Sequence, residues 1–320
     1  MTVPVEIITS RAVPLGGPRG MTVHRTLPQR QRSLIGAWCF ADHYGPDDVS
    51  VTGGMDVAPH PHTGLQTVSW LFEGNITHHD SGGNHAVVVP GEVNLMTAGS
   101  GICHSEVTTQ DTTTLHGVQL WTVLPDDARH GPRLFENHAP NRVRREGAEI
   151  LTFVGTLAGE TSPVTVFTPM VGAEITLDPS SSVTLEVDAT FEHGLLVDSG
   201  EITFEDVAVQ PTELAYTGVG ADALTITNTA PHAAKLILIG GTPFEEEIVM
   251  WWNFIGRNSG EVESYREEWQ SQSERFGKTL GYIGHDPQGR PWLPAPRFPI
   301  IAVKPRENPA PVARPELRIN

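Results

Sequence analysis

Short apolar runs of period two, broken every few residues by Gly, Pro, Asp or Asn, constrain this chain more than any other feature. From Thr67 to Phe72, Val68, Trp70 and Phe72 share one face of an extended backbone, while Thr67 and Ser69 share the other. The same rhythm returns in HAVVVPGE, VNLMTAG and LHGVQLWTVLP between Ile35 and about Leu124. Pro90-Gly91, between two such runs, has the composition of a tight turn, with Pro fixing the first position and Gly following. A content of 32 Gly and 26 Pro suits turns and strands better than helical bundles, so an all-β body is expected. At 320 residues there is room for two domains, each burying its own core.

Residues 1–130 are read as the first β domain and 131–148 as a linker, within the polar stretch DDARHGPRLFENHAPNRVRREG where period two is lost. Strands resume in ILTFVG, VTLEV, GLLVDSGEITF, ALTITNT and KLILIGG, which defines a second domain over 149–258. The order echoes the first half, since GLLVDSGEITF resembles TVSWLFEGNIT and Gln210-Pro211 stands about where Val89-Pro90 did, as a duplication would leave it. In 259–320, Val262, Tyr265 and Trp269 recur at intervals of three and four and predict one amphipathic helix. The Pro-rich remainder is expected to be an extended tail, draped over the surface or mobile.

Chemistry concentrates in APHPHTGLQTVSWLFEG and, about forty residues later, PGEVNLMTAGSGICHSEV. His60 and His62 are one residue apart, as are His104 and Glu106, and on extended backbone i and i+2 project from the same face. Two facing strands then suffice to aim three imidazoles and one carboxylate at one first-row divalent ion, with one or two coordination positions left open. Any one His among 14 is more often structural, but two such pairs joined by strand, turn and strand form a specific signal. The second half has only His193 near the matching position, and it cannot assemble the same site. His78 and His79, in THHDSGGNH, are expected in a solvated turn; His85, His116, His130, His138 and His193 lack partner spacing and are expected to be structural or exposed. Cys103 should point away from the ligand face as a small buried residue.

The formal net charge of -17 repels phosphate backbones and argues against direct nucleic-acid binding. No stretch approaches the roughly 20 apolar residues that span a bilayer, and the N-terminal residues lack the order of a secretory signal, so a soluble cytoplasmic protein without membrane contact is expected. Cys39 and Cys103 do not make a disulfide framework.

The motifs PHPHTGLQTVSWLFEG and MTAGSGICHSE resemble the two metal motifs of the pirin family within the cupin superfamily. GAWCFADHYGP resembles its aromatic strand entering the first barrel, and LILIGGTPFEEEIVMWWNFIGRNSGEV its second-domain ending. The resemblance covers roughly residues 5 to 275 and implies a bicupin, two antiparallel jelly-roll barrels face to face. It further implies Fe2+, or another first-row divalent metal, held by His60, His62, His104 and Glu106 in the first barrel, and no metal in the second. Where the family pattern reads His-Arg-Gly-Phe-Glu-Thr, this chain has His62-Thr63-Gly64-Leu65-Gln66-Thr67, which removes a basic residue and a carboxylate near the pocket.

Some pirins resemble quercetin 2,3-dioxygenases, so the leading implied activity is ring opening of a small flavonol-type aromatic by O2, with Glu106 as general base. Trp38, Phe40, Gln66 and Trp70 are the candidate pocket residues, with plain barrel core as the competing role for the aromatics. Other pirins imply the rival function, a non-catalytic iron-dependent regulator whose partner is a protein, either a transcription factor or a metabolic enzyme. A storage-type or sugar-binding bicupin is a weaker third reading, since it needs no ligand set aimed into a barrel.

Overall fold

The structure, a computed structural model, describes residues 5–15, 21–284, 289–306 and 308. Its strands pair antiparallel into two seven-stranded and two four-stranded sheets, one of each per barrel, and two two-stranded ribbons. The first large sheet runs, in spatial order, Leu134–His138, Val93–Thr97, Leu65–Glu73, Thr114–Val123, Trp38–Asp48, Thr22–Leu27 and Arg11–Pro14. Its small sheet runs Asp56–His62, Ile102–Thr108, Ile76–Asp80 and His85–Val88.

The second barrel repeats this plan strand for strand. Its large sheet runs Glu6–Ile8, Leu214–Thr217, Glu192–Ser199, Ala234–Gly241, Met170–Leu177, Ala148–Val154 and Arg142–Arg145, and its small sheet Ser181–Glu186, Ala223–Asn228, Ile202–Phe204 and Val207–Val209. The two edges depart from the chain order expected. Glu6–Ile8 pairs with Leu214–Thr217, so the N-terminal strand belongs to the second barrel. The 131–148 stretch is divided, with Leu134–His138 closing the first large sheet and Arg142–Arg145 the second. Backbone groups at a sheet edge need partners, and these polar segments supply them although their side chains show no strand period.

The large sheets face each other across one shared core. Trp38, Trp70 and Leu120 of the first pack with Phe153, Leu196, Ile237 and Ile239 of the second. Trp38 Nε1 donates to Val171 O and Gly240 O, both at 3.1 Å, and Trp70 Nε1 donates to Glu174 Oε2 at 2.7 Å. Each buried indole thus combines a large apolar area with a satisfied donor, worth roughly 2–3 kcal/mol in burial alone.

The expected amphipathic helix spans Ser259–Gln270, capped by Asn258, whose side chain accepts from Glu261 N, and it buries Val262, Tyr265 and Trp269. These pack with Cys103, Phe254, Phe276 and Ala295 on the outer face of the first barrel's small sheet. The described tail, 289–306, drapes extended along the same side and is tied by Leu293 N to Pro59 O at 2.8 Å and Val303 N to Ser259 Oγ at 3.0 Å. Residues 307 and 309–320 of the expected tail lie outside the described residues.

Candidate metal centre

His60 and His62 sit on Asp56–His62, and His104 and Glu106 on its antiparallel neighbour Ile102–Thr108, with His60 directly opposite His104. Ligand-capable nitrogens of the three histidines lie within 4.8 Å of one another, and all four side chains are buried. Period two turns both members of each pair inward. Cys103, between them in register, turns outward into the apolar layer under the C-terminal helix.

Burial drives the His60 imidazole down to about 4 and pushes His62 and His104 well below their ordinary value, so at neutral pH all three rings are uncharged and offer lone pairs. His60 Nδ1 donates to Ala58 O at 3.0 Å, which leaves Nε2 bare for a ligand. His62 Nε2 stands 3.0 Å from His104 Nε2. Two nitrogens each about 2.1 Å from one ion at a right angle would stand about 3 Å apart, so the spacing fits a shared cation. Glu106 lines the same cavity as these histidines, and its carboxylate lies within 4.8 Å of nitrogens of His104 and His78, a second group that shares His104 with the first. Burial raises its carboxyl pKa, opposed by nearby His78, and Ser69 Oγ at 3.4 Å is its hydrogen-bond donor. Three neutral imidazoles beside a buried carboxylate form a donor set that a divalent ion would neutralise.

The floor of the site holds more than the two pairs. His78 and His79 are not in a solvated turn: Ile76–Asp80 is a buried strand pairing with Ile102–Thr108, and the turn begins at Ser81. His78 lies opposite Glu106, with its Nδ1 3.3 Å from His104 Nδ1 and its Nε2 3.3 Å from Asp80 Oδ2. It therefore orients His104 from behind. The signal was the i, i+2 pair His78 and Asp80, a third copy of the ligand spacing, hidden by the polar residues that follow.

A cavity of about 380 Å³ opens above the cluster, walled by Phe40, Trp121, Met250, Trp252 and Leu293. Phe40 and Trp121 stack with centroids 4.0 Å apart. The other candidate pocket residues lie elsewhere. Trp38 is two residues from Phe40, but Phe40 pairs with Trp121 and Trp38 with Thr122, and this bulge sends the two rings to opposite faces. Trp70 and Gln66 share the face of Leu65–Glu73 that meets the second barrel, where Trp70 stacks on Phe153 and Gln66 donates to Thr165 O at 2.9 Å. Ser69, on the opposite face, reaches Glu106 and Gln119.

Two further histidines have partners that spacing could not show. His43 Nε2 and His116 Nε2 stand 2.7 and 2.5 Å from the same oxygen of Asp198, which crosses from the second barrel, and these bonds hold the Asp198 carboxyl far below its ordinary value against the opposing effect of burial. His193 lies on Glu192–Ser199 of the second large sheet, not on a strand equivalent to either ligand strand.

Sequence profiles of known families decide the kinship: that of pirin matches residues 20–122, and that of the pirin C-terminal cupin domain matches 172–277. This chain belongs to the pirin family. A Pseudomonas aeruginosa pirin relative, provisionally named a quercetin 2,3-dioxygenase, is 41% identical over 92% of this chain and 91% of its own length. A pirin-like protein of Caulobacter vibrioides is 31% identical over 78% of this chain and 88% of its own. The crystal structure of a quercetin 2,3-dioxygenase from Acinetobacter baumannii superposes with a TM-score of 0.88 at 34% identity, covering 95% of this pirin and 98% of that chain. No helix among the described residues of this pirin is long and apolar enough to cross a membrane.

Proposed function

We propose that this pirin is a metal-dependent dioxygenase that opens the ring of flavonol-type, quercetin-like aromatics. The observation that carries the reading is the buried cluster of His60, His62 and His104, with Glu106 lining the same aromatic-walled cavity. The names borne by the Pseudomonas and Acinetobacter relatives support the same chemistry. These four residues would hold Fe2+ or another first-row divalent ion, which when bound supplies Lewis acidity toward a substrate hydroxyl and an open position for dioxygen.

Glu106 has the part of general base. Burial raises its pKa toward that of a working base, and the Ser69 hydroxyl, 3.4 Å from Oε1, can hold the carboxyl as it takes the proton of the substrate hydroxyl. Trp121, stacked on Phe40, offers a flat wall to a planar ring, while Met250, Trp252 and Leu293 keep water from the reacting end.

The test is aerobic incubation of the iron-loaded protein with quercetin, following oxygen uptake and carbon monoxide release. Turnover that falls at least a hundredfold in Glu106→Gln is expected. Absence of uptake with every flavonol tried would retire the proposal.

A further inference from the structure

The cavity above the ligand cluster has a charged mouth for which the proposed reaction gives no use. Three arginines line it: Arg11, Arg25 and Arg306. Arg25 is matched, with two 2.6 Å bonds to Asp42 and its guanidinium 4.3 Å from the Phe40 ring. Arg11 gives one bond from Nη2 to Pro28 O at 3.0 Å, and otherwise has only a longer-range attraction to the same Asp42. The Arg306 guanidinium has no carboxylate partner and no hydrogen bond among the described residues. Arg11 and Arg306 are both exposed to solvent, and partial burial, then the nearness of Arg11, lower the Arg306 pKa.

Of the three guanidiniums only Arg25 has a carboxylate partner, Asp42; the cavity's other carboxylate, Glu106, belongs to the histidine cluster at its floor, so Arg11 and Arg306 have no ion-pair partner among the described residues. Two neighbouring cations without carboxylate partners raise the local potential and attract an anion between them. Among the described residues no carboxylate forms an ion pair with Arg11 or Arg306, whereas Arg25 pairs with Asp42. The position of Arg306 is also built. Its own N donates to Ile248 O at 2.8 Å, and the extended segment before it is tied at Leu293 and Val303. The tail thus brings one apolar wall, Leu293, and one cation to a cavity whose floor belongs to the first barrel.

We propose that the cavity takes a planar aromatic substrate that carries an anionic substituent, a carboxylate or a sulfate-like group, with Arg11 and Arg306 gripping the anion at the mouth. Guanidinium suits this task because its fixed fork of donors matches the oxygens of such groups, and the floor below leaves the ring free to meet the metal cluster. The inference names the substrate class for the reaction proposed above and rests on that cavity being its site.

Calorimetric titration under nitrogen, which prevents turnover, tests it on the metal-loaded protein with two probes: quercetin, and quercetin carrying a sulfonate on its outer ring. The sulfonate should bind about tenfold more tightly at low salt. That preference should shrink as NaCl is raised from about 0.05 to about 0.5 M. It should fall to near parity in Arg11→Gln/Arg306→Gln, and Arg306→Lys should restore part of it relative to Arg306→Gln. Equal binding of the two probes to the wild type, a preference that survives the double substitution, or no binding of the sulfonate would each overturn the proposal. Oxygen uptake measured in parallel keeps the two proposals separable. A preferred sulfonate with neither probe consumed sinks the dioxygenase and leaves the anion site standing, whereas consumption of both probes without preference does the reverse.

Discussion

The two barrels share one topology and differ in what their equivalent strands turn inward. In the first, Asp56–His62 and Ile102–Thr108 present His60, His62, His104 and Glu106. In the second, the strands at the same places in the sheet order, Ser181–Glu186 and Ala223–Asn228, bury Val183, Leu185, Leu224 and Ile226. Each of those aliphatic side chains contributes roughly 2 kcal/mol of burial, which the first barrel forgoes in favour of polar ligands and a cavity.

The outer faces differ in the opposite sense. Thr184 and Glu186 of the second small sheet are exposed to solvent, whereas the first small sheet is covered by the C-terminal helix and tail. The barrel with the polar, cavity-bearing interior is thus supported from outside, by chain that follows the second barrel in sequence. One copy fills its interior with aliphatic side chains; the other lines it with histidines and a carboxylate.

Reciprocal substitutions should break this contrast most sharply if it is wrong. His104→Ala should lower divalent-metal affinity by more than about a hundredfold, read by elemental analysis and chelator competition, with little loss of stability in the metal-free protein. Ile226→Ala should leave metal content unchanged and lower stability by about 3 kcal/mol in urea denaturation. Comparable metal loss from both variants would erase the division of labour.

A pH effect of similar size belongs to the second barrel. His193 is fully buried, neither ring nitrogen has a hydrogen-bond partner among the described residues, and burial lowers its pKa to about 4. Above the unfolded value of 6.5 both states are neutral. Between 6.5 and about 4 the unfolded chain takes up a proton at His193 that the folded chain refuses, so His193 should take about 3 kcal/mol from stability across that window, beside what the buried histidines of the first barrel take. His193→Leu should remove that share of the slope, measured as urea midpoints against pH; an unchanged slope would show that His193 does not contribute.

The smallest expected effect sharpens the picture of the first barrel. His78→Phe keeps a ring against Phe135, on which His78 stacks with centroids 4.7 Å apart, but removes the nitrogen behind His104. Metal affinity should fall about tenfold with the metal-free melting temperature nearly unchanged. No loss of affinity would confine the centre to the original four ligands.

Much of this was legible along the chain. The ligand pairs could be read because a period of two is local: His60 and His62, or His104 and Glu106, share a face wherever their strand goes. The same holds for Val262, Tyr265 and Trp269 on one side of a helix. His78 was missed because the polar run after it looks like a turn, and burial by a neighbouring strand is not written in that run.

Sequence alone determined the strand-rich body, the duplication and the four side chains of the candidate centre, all consequences of spacing along one backbone. Only tertiary structure decided which layer each face would meet. It sent Trp38 and Trp70 to the interface between barrels while Phe40 stayed in the cavity, lent Glu6–Ile8 to the distant barrel, and brought Arg306 to the mouth of a site more than 200 residues earlier in the chain. Those outcomes depend on a bulge, on edge pairing and on a long return of the chain, and they follow from contacts between segments, which no local period encodes.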